Sequence, residues 1–183
     1  MVIIRYNDND PVESSSRHHE HYSPNRPVVK EHGTTKVRPG FEASARQVGS
    51  PSLNQCLESG PNLLKLILSL LLRFKEHKYG IVADIETAFL RISVRPEDRD
   101  YLKFFWWDGK ENVAPKIMRH ARVVFAVKGS PFLLEAVLQR HLKKYLKNST
   151  YSKRTVDILL RRFYVDDLIT SLDKESEILP FIE

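Results

Sequence analysis

Two adjacent carboxylates near the C-terminal end of the sequence are the residues best suited to carry chemistry. Asp166 and Asp167 lie between two short runs of strand-forming residues within positions 163–170. This pattern predicts a β-hairpin with the aspartates at or beside its turn. Two anionic groups held together repel each other unless a cation lies between them, which indicates a divalent metal site. The alternative is a solvated turn, because aspartate is also a common turn residue.

A second stretch favours the metal interpretation. Residues 81–89 place Asp84 at the end of another apolar, strand-like run. On an antiparallel sheet, Asp84 and Asp166 can meet although they are far apart in sequence. Two divalent ions held by such carboxylates neutralise phosphate charge and keep the attacking and leaving oxygens in line, which is what phosphoryl transfer requires.

These stretches resemble the catalytic motifs of reverse transcriptases. Tyr164, Val165 and the aspartate pair resemble the Y-x-D-D signature, which lies on a hairpin. Residues 83–89 resemble the first catalytic motif, and residues 125–132 resemble the motif between them. The flanking sequence resembles Bel/Pao-type LTR retrotransposon polyproteins over about residues 21 to 177. The stretches that carry this narrower resemblance are residues 28–31, 53–57, 60–62, 96–101 and 104–108.

The resemblance implies a two-metal site for Mg²⁺, with Mn²⁺ as a substitute. Asp84 and Asp166 would be the bridging ligands, and Asp167 would be the third carboxylate, closer to the primer end. The backbone carbonyl of Ile85 would add a further ligand. Magnesium suits such a set because it takes few carboxylates and accepts substrate phosphates as its remaining ligands.

The resemblance also implies a nucleotide site. Phe89 would lie beneath the sugar and exclude a 2′-hydroxyl, although a plain core aromatic is the alternative. Phe125 and Ala126 would pack under the nucleotide and the template base, at a position where the family usually has glycine in place of Ala126. Arg38 resembles the fingertip arginine that contacts the triphosphate, and Lys30 is a weaker candidate.

The element pattern predicts an α+β fold, an antiparallel sheet with helices on one face. It matches the ferredoxin-like polymerase palm, with part of the fingers, that the resemblance implies. Strands are predicted at residues 28–30, 36–38, 79–84, 101–107 and 119–127, and helices at 62–77 (with Asn62 as N-cap), from Ser130, at 153–162 and at 173–181.

Composition predicts one soluble domain that follows a flexible N-terminal arm. We expect a flexible arm over residues 1–20 and a partial reverse transcriptase domain over residues 21–183. Within it, the fingers would span about 21–80 and the palm about 80–183, with the thumb absent. The apolar run at residues 63–72 is too short to span a bilayer, so no membrane partner is expected. A single cysteine, Cys56, fits a reducing compartment, and a cytoplasmic location is predicted.

Two functions remain open from the sequence. The first is an RNA-directed DNA polymerase fragment that uses an RNA or DNA template with primer, deoxyribonucleoside triphosphates and the other domains of a polyprotein. The second is an inactive remnant or a co-opted nucleic-acid-binding module. The three aspartates favour the first, whereas Gly40 and Ala126 depart from the family and favour the second. With a net charge of only +6 and no thumb, the fragment is not expected to polymerise processively.

Overall fold

The computed structural model describes residues 21–29, 37–107, 113–146 and 152–182. The predicted arm at residues 1–20 and Lys30 lie outside this part of the chain. The strands are β1 (Asn25–Val29), β2 (Val37–Phe41), β3 (Tyr79–Asp84), β4 (Lys103–Trp106), β5 (Lys116–Arg119), β6 (Phe163–Tyr164) and β7 (Asp167–Leu172). The α-helices are α1 (Leu53–Cys56), α2 (Ile67–Phe74), α3 (Ser130–Leu146), α4 (Lys153–Arg162) and α5 (Ile178–Ile182). Helices and antiparallel strands together confirm the predicted α+β class.

The chain divides into two compact units, each made of two separate stretches of sequence. The first comprises Met1–Glu58 with Phe89–Ser130, and the second comprises Ser59–Ala88 with Pro131–Glu183. Among the described residues, no helix has the length and apolar character needed to cross a bilayer.

The first unit contains two antiparallel strand pairs. β1 pairs with β2, and β4 pairs with β5. β1 and β2 overlap the strands that were predicted at residues 28–30 and 36–38. The short helix α1 was not predicted. A capping box closes its N-terminus. The Ser52 hydroxyl accepts from the Gln55 N–H, and the Gln55 side chain accepts from the Ser52 N–H.

The fifth strand differs from its prediction. A strand was expected at residues 119–127, but β5 ends at Arg119 and the chain then runs irregularly to Ser130. One physical reason is Ala126, whose φ of 70° is left-handed and incompatible with a strand. His120 follows β5 and is buried among aromatic rings, with centroids 4.3 Å from Phe41 and 4.6 Å from Phe104.

The second unit is built on one three-stranded antiparallel sheet. The strand order is β3-β7-β6, so β7 lies in the middle. β3 has the predicted bounds, and α3, α4 and the β6–β7 hairpin lie where the sequence places them. α2 packs on β7, and the Ser171 hydroxyl donates to the Arg73 carbonyl oxygen across that contact at 2.9 Å.

The helix predicted at residues 62–77 is much shorter in the structure. α2 begins only at Ile67, and the Asn62 side chain does not cap it. Instead, Asn62 Oδ1 accepts from the Leu64 N–H at 3.0 Å, a local turn that competes with helix. Just before α2, Lys65 pairs with Glu135 of α3 at 2.6 Å. The leucines of this segment are only partly buried, since Leu70 is enclosed whereas Leu66 is exposed.

The C-terminal helix is also shorter than predicted. In place of one helix over residues 173–181, the chain forms a 3₁₀ turn at Glu175–Glu177 followed by α5.

Candidate active site

The aspartate pair lies on the tight hairpin between β6 and β7. Tyr164 pairs with Asp167, which leaves Val165 and Asp166 as a two-residue loop. Val165 has a φ of 60°, while Asp166 does not have a positive φ. A positive φ at the first loop position alone is the pattern of a type II′ turn, one of the two that suit the twist of a hairpin. For a β-branched residue this conformation is strained, and the paired strands on both sides hold it in place.

The register between β3 and β7 brings two of the predicted carboxylates together. Asp84 is the cross-strand partner of Asp167 at the last position of the ladder. Directly opposite residues of an antiparallel pair project from the same face, with Cβ atoms about 5 Å apart. Beyond this position the Ile85 N–H donates to the Asp166 carbonyl oxygen at 3.1 Å. All three aspartates therefore lie at one end of the same sheet.

Burial on the opposite face of β7 fixes this register. Leu168, Thr170 and Leu172 alternate with Asp167 along the strand, and all three are buried. Because side chains alternate between faces, a slip of one residue would expose Leu168 and bury the Asp167 carboxylate. The pairing of Asp84 with Asp167 thus follows from the packing of the neighbouring residues.

The donor set at this end of the sheet suits magnesium. Carboxylate oxygens are ligands that Mg²⁺ prefers, and one or two of them are enough when substrate phosphates complete the shell. The side chains of Asp84 and Asp167 are exposed and supply such a pair. Among the described residues, however, no three His, Cys, Asp or Glu side chains form a group that could hold a metal ion. The Ile85 carbonyl already accepts the Ala88 N–H at 3.1 Å and keeps a second lone pair.

In the first unit, two of the predicted nucleotide-site residues touch each other. Phe89 is only 3% exposed, and its ring centroid lies 4.4 Å from that of Phe125. Phe125 is 65% exposed, so part of its ring is open to solvent while Phe89 packs against it. Arg38 lies in β2, opposite Val28.

A residue that the sequence analysis did not single out holds the loop at Phe125 and Ala126. The Asn54 side chain donates to the Ala126 carbonyl oxygen and accepts from the Lys128 N–H, both at 2.8 Å. The buried Ser130 hydroxyl donates to the Val124 carbonyl oxygen at 2.7 Å. Asparagine and serine are common residues, so the sequence gives no sign that Asn54 and Ser130 hold this loop. Only the contacts in the folded chain show it.

Comparisons with known proteins identify the fold. No known protein family and no curated protein matches this sequence. Among solved structures, a mutant of the prototype foamy virus protease-reverse transcriptase matches with a TM-score of 0.61 and 20% identity, covering 88% of this chain and 18% of that chain. A foamy viral protease-reverse transcriptase in complex with double-stranded DNA matches with a TM-score of 0.58 and 22% identity, covering 88% and 24%. The chain therefore has the fold of part of a reverse transcriptase.

This reverse-transcriptase-like domain is small beside the proteins that it resembles. The foamy viral enzyme in complex with an RNA/DNA hybrid matches with a TM-score of 0.59 and 20% identity, covering 88% of this chain. The chain spans only 18% of that protein's length.

Proposed function

We propose that this chain is the fingers and palm part of an RNA-directed DNA polymerase of a Bel/Pao-type LTR retrotransposon. It would add deoxyribonucleotides to a primer on an RNA or DNA template. The observation that carries the proposal is the pairing of Asp84 with Asp167 at one end of a sheet, with Asp166 in the adjoining loop. Solved relatives in fold were captured with double-stranded DNA and with an RNA/DNA hybrid, which supports a nucleic-acid partner.

The aspartates would hold Mg²⁺, or Mn²⁺ in its place, with the Ile85 carbonyl as a further ligand. When bound, magnesium would neutralise charge on the phosphate oxygens during nucleotidyl transfer. The chain's own part is to keep Asp84 and Asp167 side by side before substrate arrives, so that little reorganisation is needed at the moment of reaction.

The remaining predicted residues would hold the nucleotide. The exposed Phe125 ring, backed by Phe89, would support the nucleotide and template base, and Ala126 would line the same loop. Arg38 and Lys30 would bind the triphosphate. We further propose that the domain works in the cytoplasm with the other domains of a polyprotein, in keeping with its one free thiol at Cys56.

The test is single-nucleotide extension of a labelled primer on RNA and DNA templates with Mg²⁺. Asp84→Asn should lower the rate by about a hundredfold or more, because it removes a charge that the site needs. Asp157→Asn is the matched control, since it removes an exposed aspartate of the same unit that pairs with Arg161. Equal loss in both variants, or none in either, would contradict the assignment.

A catalytically inactive nucleic-acid-binding module is the second candidate. Two observations favour it: alanine adopts a left-handed conformation at position 126, and the described residues hold no three-ligand metal group. The same assay separates the two functions, because such a module would bind primer–template without extending it under any metal.

A further inference from the structure

The loop at residues 125–128 is exposed, yet its backbone adopts a costly conformation. Phe125, Ala126 and Lys128 are exposed. Ala126 has a φ of 70°, in the left-handed region that side chains with a Cβ seldom adopt. Such a conformation costs free energy and persists only where the surroundings impose it. Something other than burial must therefore hold this loop.

The Asn54 side chain supplies that constraint. Its Nδ2 donates to the Ala126 carbonyl oxygen at 2.8 Å, and its Oδ1 accepts from the Lys128 N–H at 2.8 Å. A side-chain amide carries a donor and an acceptor at a fixed spacing, so it can bridge a carbonyl and an N–H of one loop. Asn54 is itself anchored, because it lies in α1 and its backbone N–H donates to the Ala43 carbonyl oxygen at 3.0 Å.

These bonds set the direction of the peptide between Ala126 and Val127. In a planar trans peptide, the carbonyl and the following N–H point in opposite directions. Asn54 draws the Ala126 carbonyl toward itself, so the Val127 N–H points the other way. Within the described part of the chain, no acceptor is paired with that N–H. A backbone donor therefore lies close in sequence to the exposed ring of Phe125.

We infer that Asn54 is a positioning residue that presents the Phe125 ring and the Val127 N–H to the incoming nucleotide or its template base. A flat ring with hydrogen-bond acceptors is the ligand chemistry that an aromatic side chain and a backbone donor recognise together. The inference rests on the proposed function and adds the residue that organises its nucleotide contact.

Three variants isolate the two bonds. Asn54→Ala removes both the donor and the acceptor, whereas Asn54→Asp keeps the acceptor for Lys128 and loses the donor to Ala126. Ser44→Ala is the control, because Ser44 Oγ accepts from the same Nδ2 at 2.9 Å without belonging to the loop.

The first readout is amide hydrogen exchange, which needs no activity. The Lys128 amide should exchange at least about tenfold faster in Asn54→Ala than in wild type, and it should stay protected in Asn54→Asp and Ser44→Ala. Unchanged exchange in Asn54→Ala would overturn the inference.

The second readout is single-nucleotide incorporation on primer–template. We expect KM for the deoxyribonucleotide to rise about tenfold in Asn54→Ala and in Asn54→Asp, with primer–template Kd within twofold of wild type. A change in kcat with KM unaltered would show only a structural role and would overturn the inference. Wild type that incorporates nothing would overturn the proposed function, and this inference with it. Incorporation that Asn54→Ala leaves unchanged would overturn the inference alone.

Discussion

At the scale of single residues, the proposed cation site depends on two carboxylates that face the same way. Asp84 and Asp167 are direct cross-strand partners, so each should contribute to binding even without nucleic acid. We expect Asp84→Asn and Asp167→Asn each to weaken Mn²⁺ binding at least about tenfold in calorimetry. Asp157→Asn should bind as wild type does. If both site variants bind Mn²⁺ with wild-type affinity, the metal site does not lie at this end of the sheet.

Phe89 packs against another ring, so a substitution that tests sugar selection at this position also changes stability. Its ring is buried against Phe125, so Phe89→Val should cost about 1–3 kcal/mol of stability through the lost contact. If the chain incorporates nucleotides, the variant should also use ribonucleotides better relative to deoxyribonucleotides, because a clash is removed. Phe104→Leu, at another buried phenylalanine of the same unit, should leave that ratio unchanged. A constant ratio in Phe89→Val would make Phe89 a plain core residue.

His120 should make the stability of the first unit depend on pH. Burial among aromatic rings lowers the pKa of His120 from 6.5 to about 4. The unfolded chain therefore binds a proton first as the pH falls, and stability is lost between pH 6.5 and about 4. We expect urea unfolding to show a loss of about 2 kcal/mol between pH 7.5 and pH 5. In His120→Leu that part of the pH dependence should disappear; if it persists, another group titrates.

At the scale of elements, a buried ion pair ties the segment before α2 to α3. Glu135 is 1% exposed and accepts from Lys65 at 2.6 Å and from Gln139 at 3.1 Å. Lys65→Met should destabilise the chain by about 2–3 kcal/mol, because it leaves a buried carboxylate without its charge partner. The double variant Lys65→Met/Glu135→Leu should recover part of that loss in urea unfolding.

The control for this pair is an exposed lysine of the same helix. Lys144 is exposed in α3, so Lys144→Met should change stability by less than about 0.5 kcal/mol. If the double variant is no more stable than Lys65→Met alone, the buried charge is not the source of the cost.

At the scale of the whole molecule, the net charge should limit the proposed binding to nucleic acid. The net charge is only +6, and several arginines pair with acidic neighbours, among them Arg26 with Glu42 and Arg119 with Asp100. A small excess of positive charge displaces few counterions from phosphates. We expect log–log plots of primer–template affinity against salt to have a slope of about −2 to −4, measured by fluorescence anisotropy. A slope near −8 would reveal a far larger phosphate-binding surface.

Local sequence patterns predicted much of this protein. The hairpin at Asp166, the strand that ends at Asp84 and the helix from Ser130 all follow from side-chain periodicity and turn chemistry, which act over a few residues. Where a competing local bond or a distant contact intervenes, the prediction failed. The helix expected from Asn62 begins only at Ile67, because Asn62 Oδ1 accepts from the Leu64 N–H and Lys65 pairs with Glu135.

The sequence alone therefore indicated the three aspartates that we propose carry the chemistry, because carboxylates at strand ends are visible without a structure. The tertiary structure decided that Asp84 faces Asp167, while Asp166 lies in the loop. That choice depends on register, and register depends on which face of β7 is buried. The role inferred for Asn54 arises only from tertiary contact, because two hydrogen bonds across more than seventy positions leave no periodic trace in the sequence.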